Sequence, residues 1–450
     1  MSTTNPMAAN LAAPVNQSER IILLDSLRGI AILGILLMNI PGFALPDPVI
    51  GDPSVLNEWG TVNFKTWYFI EWFMEGSQRA LFSMLFGAGI ILFITRQEKR
   101  VDGLYPADYF FRRQIWLLVF GLFNGFVLLW FWDILFHYAC VGMIMFAFRR
   151  LSPKALIIGA VICLVLQTAR ENVDAYRDRK MIYKGEMIAK MDTTVTKLTD
   201  QQKEDLGAMT GFKEKTTPES KIKKMEKSLK AVRGSYGGFY EYQSDRTFKV
   251  EVFYVYYGAW DILIFMMLGM AFFKNGVLTG KASSKVYWAL FLGGLGIGLT
   301  LSYFRLQPLI DYKFNIFEYT KNISFEYYQL SRVFRALGIL GLIMLLYKSG
   351  FFKWFFSLMR PVGQMAFTNY LMQSLLVGLF FYGIGLGYYG KLQRHEIYYV
   401  VAATWALEIA WSHIWLRYFR FGPLEWAWRS LTYWKKQPMK KTNTKEVMSP

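Results

Sequence analysis

The chain has 450 residues, 54% of them hydrophobic and 18% aromatic, and its mean hydropathy is positive. Ordinary soluble domains carry an apolar share of about 45–50%, so the three soluble domains that length alone suggests are the wrong description. The net charge of +18 sits mostly beside the ends of apolar blocks, as charge that orients a membrane protein does, so no nucleic-acid partner is expected.

Residues 1–20 form a polar tail with no basic cluster, unlike a cleaved signal peptide, so the first apolar block is read as retained. Apolar blocks then recur at about the length a helix needs to cross roughly 30 Å of hydrocarbon. Ten spans are read, near 21–43, 64–96, 109–131, 133–149, 153–170, 251–273, 284–304, 330–348, 362–388 and 396–417. The second is longer than one crossing and is broken at "EGSQR" (75–79), which predicts a kinked or tilted helix. The fold class is therefore an all-α polytopic membrane protein with about ten transmembrane helices.

Charge sets the orientation. Joints after even-numbered spans carry Arg96, Lys99, Arg100, Arg112 and Arg113, then Arg149, Arg150 and Lys154, then Lys274, Lys281 and Lys285, then Lys348, Lys353 and Arg360. These face the cytoplasm, which puts both termini inside. The expected organisation is a tail (1–20), an N-terminal bundle (21–170), an extracytoplasmic insert (171–250), a C-terminal bundle (251–420) and a cytoplasmic amphipathic helix with a basic tail (421–450). The insert crosses despite its lysines because long loops do so largely regardless of charge. Ile222, Met225, Leu229 and Val232 give it helical periodicity, consistent with a small helical cap or with a solvated, partly helical loop. "DYKFNIFEYTKNISFEYYQLSR" (311–332) reads as an interfacial segment, and "RFGPLEWAWRSLTYW" (420–434) as an amphipathic helix on the inner membrane surface. Cys140 and Cys163 lie in separate apolar blocks and form neither a metal spacing nor a disulfide framework. No phosphate loop, dinucleotide fingerprint or metal-ligand cluster occurs, so no metal is expected.

A charge near the bilayer centre costs on the order of 2.5–3.5 kcal/mol, so polar groups at membrane depth mark the candidate site. "LDSLRGIAILGILLMN" (24–39) places Asp25 and Arg28 three apart on one helix face. Either they cap and anchor the helix, or Arg28 meets an anion that Asp25 helps it orient towards, as a guanidinium suits phosphate. Asn39 returns to nearly the same face about 16 Å further along. Glu71, Glu75 and Arg79 form a stripe beside Gly76 that is either self-neutralising or functional. Asp133 lies one turn before His137, where its carboxylate would fix the imidazole tautomer; a histidine satisfied by a backbone carbonyl is the alternative. Thr368, Asn369 and Gln373 read as contacts between helices more readily than as chemistry.

The ordered motifs "RIILLDSLRGIAILGILLMNI", "FSMLFGAGIILF", "RRQIWLLVFGLFNG", "LLWFWDILFHYACVGM", "GQMAFTNYLMQSLL", "FYGIGLGYYG" and "FGPLEWAWRSLTY" resemble the YeiB family of bacterial membrane proteins, whose C-terminal half is a domain of unknown function. The first helix is also similar to that of heparan-α-glucosaminide N-acetyltransferase and, more distantly, to membrane acyltransferases that modify bacterial surface glycans. That resemblance implies a plasma-membrane acyltransferase taking acyl-CoA, with acetyl-CoA the expected donor, and delivering the acyl group to an extracytoplasmic hydroxyl or amine. Asp25, Arg28, Arg112 and Arg113 would then hold the donor, Asn39 would polarise the thioester, and Asp133 with His137, or Glu75, would activate the acceptor. The acetyltransferase pattern has a histidine shortly after its asparagine, whereas residues 40–136 contain none; a covalent acyl-histidine at that place is excluded. A carrier of a small amphiphile and a non-catalytic scaffold are the rival classes. Membrane lipids and the acceptor are the expected partners, and a homodimer is compatible with the sequence.

Overall fold

Backbone N–H and C=O groups find no water inside a bilayer, so apolar blocks of this length fold as helices. The computed structural model describes residues 21–192 and 197–441; the tail expected over 1–20 and the end of the basic tail lie outside them. The first block is α1 (Ile22–Ala44), followed by the short α2 (Asp47–Gly51). The second is broken as expected. Helix α3 (Val62–Phe69) runs into a π-turn over Ile70–Met74, Gly76 adopts φ 69°, and α4 (Ser77–Glu98) continues. A side chain at this left-handed position would be strained and would also collide with Arg332.

Helices α5 (Tyr105–Phe126) and α6 (Leu135–Met145) follow. The fifth block does not end near 170. It is one helix, α7 (Pro153–Ala189), whose 37 residues extend into the insert. The insert adds α8 (Asp200–Lys215), α9 (Pro218–Val232) and α10 (Tyr236–Phe248), then a π-turn over Lys249–Phe253 leads to α11 (Tyr254–Lys274). The second half comprises α12 (Ser284–Asp311), the short α13 (Ile316–Asn322), α14 (Tyr328–Ser349), α15 (Lys353–Gln364), α16 (Ala366–Phe381), α17 (Ile397–Tyr418) and α18 (Pro423–Tyr433). The ninth expected span is thus two helices and a loop. Glu425 caps the second of these helices: its carboxylate accepts from the backbone N–H groups of Phe367 (2.8 Å) and Thr368 (3.0 Å) at the start of α16.

Among the described residues, six stretches are long and apolar enough to cross a bilayer: Ile22–Ala44, Val62–Glu98, Pro153–Ala189, Val255–Lys274, Ser284–Asp311 and Tyr328–Ser349. Leu135–Phe148 and Ala366–Phe381 are apolar but shorter. Among the described residues no strand forms beyond one isolated bridge between Phe419 and Lys440. The chain is an all-α polytopic membrane protein.

Polar contacts define two ends. At one, the insert grips the loops: Lys221 pairs with Asp52 (2.6 Å), Arg246 with Asp47 (2.8 Å), and Gly383 N–H donates to Val232 O (2.9 Å). Arg394 is buried there against Glu58 (2.7 Å). On α9, Val232 is buried and Met225 and Leu229 pack on the core formed with Phe43, Trp130 and Phe381, while Ile222 is exposed. The segment expected at the interface folds against α7, with Lys321 on Glu186 (2.7 Å) and Arg179 donating to Ile323 O (2.7 Å). The opposite end holds Lys274 donating to Arg149 O (2.7 Å), Gln97 to Tyr433 (2.9 Å) and Lys348 to Ala282 O (2.8 Å).

Glycines let the helices approach closely, as is usual where lipid supplies no hydrophobic drive between helices. A Cβ on Gly363 of α15 would fall onto the Asp25 carbonyl of α1, and one on Gly29 onto the Met359 carbonyl. Gly363→Val is therefore expected to cost at least about 1–3 kcal/mol and to lower the melting temperature in detergent. Gly293→Ala, whose new methyl meets no atom within 4 Å, is the matched substitution that leaves the melt unchanged.

Candidate functional site

Two cavities lie inside the bundle. The first, about 240 Å³, lies towards the end that carries α18; Asp25, Arg28, Arg96, Arg113, Gln364 and Arg429 line it there, and Phe82, Leu85, Phe86, Leu117 and Phe367 line its deeper part. The second, about 960 Å³, lies towards the insert and is lined by Asn39, Glu75, Arg79, Asp133, His137, Asp261, Tyr328 and Arg332 among others. Tyr138 is the residue common to both linings. Its hydroxyl sits 2.5 Å from Ser83 Oγ and donates to Arg79 O (3.2 Å), which holds the ring in the partition.

Helix α1 connects the two. Arg28 lines the first cavity and Asn39 the second, as the shared helix face requires. Arg28 Nη1 donates to Asp25 Oδ1 (2.9 Å), and Gln364 donates to the other oxygen (3.4 Å). Arg113 stacks on Trp428 with its guanidinium 3.5 Å from the ring centroid, and the Trp428 indole donates to Arg113 O (2.9 Å). Helix α18 is thus a wall of the cavity and packs on α5. Arg112, expected beside the donor, is a correction: it does not line this cavity, and Asp108 one turn earlier takes it at 2.6 Å with the Trp434 ring 4.7 Å away.

In the second cavity all four expected residues come together, but not in the expected pairs. The Asp133 carboxylate does not face His137. It precedes α6 and folds onto the helix start, accepting from Phe136 N–H (2.9 Å), with Asn124 (2.8 Å) and Tyr370 (3.2 Å) on its other oxygen. Only the Asp133 backbone carbonyl meets the imidazole, 3.2 Å from Nδ1, while Val250 O lies 3.2 Å from Nε2. The carboxylate beside Nδ1 is Glu251 Oε2 at 3.5 Å.

Within the Glu71, Glu75, Arg79 stripe, Glu75 and Arg79 lie close enough to act on each other, and each member also finds a partner on another helix: Glu71 on Arg305 (2.6 Å), Glu75 accepting from Tyr328 (2.9 Å), and Arg79 on Asp261 (3.5 Å). Asp261 also meets Arg332 and accepts from Gln329 (2.9 Å). Arg335, fully buried, donates to the Trp72 carbonyl (2.9 Å) and to Ser77 Oγ (2.9 Å), pinning the broken stretch. The expected contacts between helices hold. Asn369 bonds Ser412 (3.2 Å) and Trp411 (2.7 Å), Gln373 bonds Glu408 (3.1 Å), and Thr368 meets Glu425 at 2.5 Å.

Glu251, Asp261, Arg332 and Arg335 were not singled out in the sequence. Charges inside the otherwise apolar runs "GAWDILIF" and "SRVFRALGILGL" are the signal that marks the last three; Glu251, at the edge of the charged insert, carries no comparable one.

The domain described as "Protein of unknown function (DUF418)" matches residues 272–435. Uncharacterized protein YxaH of Bacillus subtilis (strain 168) is 30% identical over 439 residues, covering 95% of this chain and 98% of that protein. Uncharacterized protein YeiB of Escherichia coli (strain K12) is 29% identical over 429 residues, 92% of this chain and 96% of that protein. An uncharacterized 39.9 kDa protein of Bacillus acidopullulyticus is 24% identical over 95% of this chain and 97% of its own length. No solved structure matches. End-to-end similarity of this kind identifies the chain as a member of the YeiB family of bacterial membrane proteins.

Proposed function

We propose that the protein is a plasma-membrane acyltransferase that takes an acyl group from cytoplasmic acyl-CoA and delivers it to an extracytoplasmic hydroxyl or amine. The observation that carries this is the placement of Arg28 and Asn39 on one helix, each in a different cavity, with Tyr138 between. In this reading both termini and the arginine-lined cavity face the cytoplasm and the insert faces outward. Arg28 and Arg113 hold the donor phosphates. The first cavity is below the roughly 300–1,000 Å³ of sites that enclose a drug-sized ligand, so it takes the pantetheine arm and leaves the nucleotide at its mouth. Extended, such an arm bridges the roughly 16 Å from Arg28 to Asn39.

Asn39 then donates to the thioester oxygen, a contact that strengthens as charge develops there. His137 accepts the proton of the acceptor while the acyl carbon forms its bond to oxygen or nitrogen. The carbon–sulfur bond breaks, and the thiolate recovers a proton as free CoA. Direct transfer fits better than an acyl-enzyme, because among the described residues no serine, threonine or cysteine paired with a base lines either cavity. Proteoliposomes loaded with labelled acetyl-CoA are expected to pass label to an external acceptor extract and to release CoA inside. Flux of an amphiphile without acyl-CoA would instead favour a carrier.

A further inference from the structure

Among the described residues, Glu251 is a buried carboxylate with both oxygens lacking a hydrogen-bond partner. Its side chain is 1% exposed in the π-turn before α11. A buried carboxylate left in that state is costly unless a nearby group holds a counter-charge or it carries a proton itself. The group within reach is His137, with Nδ1 at 3.5 Å. The imidazole has the complementary difficulty. It is flanked by acceptors on both sides, the carbonyls of Asp133 and Val250, yet a neutral ring has a single N–H to give.

One proton held between the two side chains answers both needs. We infer that His137 and Glu251 share a proton as a buried pair, and that Glu251, not Asp133, is the positioning residue that fixes where that proton lies. This rests on the acyl-transfer reading for its purpose. The pair gives its proton to the CoA thiolate as the carbon–sulfur bond breaks, and the acceptor's proton takes its place on the imidazole, so each turnover leaves the pair holding one proton. Asp133 is committed elsewhere, to the start of α6, Asn124 and Tyr370. The other titratable or charged groups facing the pair are the Asp133 carboxylate, close enough to act on Glu251 although its hydrogen bonds go elsewhere, with Arg79 of α4, Cys140 of α6 and Tyr370 of α16; Gly258 of α11, beside the ring, adds no charge.

The chain contains three histidines, so full-length protein labelled with ¹⁵N-histidine in detergent micelles gives a ring spectrum in which His137→Gln identifies one resonance pair. The readout is the pH at which the His137 Nδ1 resonance moves. Glu251→Gln is expected to lower that midpoint by about one pH unit or more, a tenfold loss of proton affinity, and Asp133→Asn to shift it far less. If Glu251→Gln fails to fold, Glu251→Asp keeps the charge at a longer reach and is expected to give a smaller fall. An unchanged midpoint in the Glu251 variants, or an equal fall in Asp133→Asn, would overturn the inference while leaving acyl-CoA binding to stand or fall separately. Absence of acyl-CoA binding by the wild type would remove the acyl-transfer reading and leave this titration intact.

Discussion

Arg28→Ala is expected to weaken acyl-CoA binding about 10- to 100-fold, measured by titration calorimetry in detergent. The magnitude follows from losing hydrogen bonds to a charged ligand, about 1.5–3 kcal/mol. Arg28 is placed for this by Asp25 and Gln364, which restrict the guanidinium on the cavity wall without covering it. Arg112→Ala provides the contrast. Its guanidinium is already held by Asp108 and lies outside the cavity, so affinity should change less than about twofold, as exposed ion pairs contribute little. Equal losses in the two variants would mean that general positive charge, rather than the cavity, holds the donor.

The second large effect falls on transfer and spares binding. His137→Gln should slow acyl transfer by about 10²–10⁴-fold, the usual contribution of a positioned base, while acyl-CoA affinity stays unchanged because His137 lines the other cavity. Asn39→Ala should cost about 10²-fold through loss of one donor at the carbonyl oxygen. Glu75→Gln should cost less than either, since its carboxylate already accepts from Tyr328 and lies among arginines. Single-turnover experiments with labelled acetyl-CoA separate these values from product release. If Glu75→Gln abolished transfer and His137→Gln did not, the base would be Glu75.

Helix α1 was legible in the sequence because everything it contributes follows from spacing along one helix. Arg28 and Asn39 are three turns apart, and the structure puts each on a cavity. The broken second span was legible too, from Gly76 amid charged residues. Partners on other elements were not. Asp133 sits one turn before His137, but α6 starts at Leu135. A carboxylate just ahead of a helix start turns to the free N–H groups there, so proximity in sequence suggested the wrong pair. The right one joins α6 to a π-turn in the insert, which no local periodicity reveals. Arg112 is different: Asp108 at i−4 was readable as its partner. The overlong α7 and the divided ninth span show a further limit. Hydropathy marks where a helix is apolar, not where it ends, and the cap on α16 comes from Glu425, distant in the chain.

The central claim is that one acyl donor spans both cavities, with its phosphates at Arg28 and its carbonyl at Asn39. Cryo-electron microscopy of the protein with a non-hydrolysable thioether analogue of acetyl-CoA tests this directly. The account predicts density for the pantetheine arm running from Arg28 and Arg113 past a displaced Tyr138 ring, with the acyl oxygen within hydrogen-bond distance of Asn39. An analogue that binds with its acyl end outside the arginine-lined cavity, or that leaves both cavities empty at saturating concentration, would contradict it.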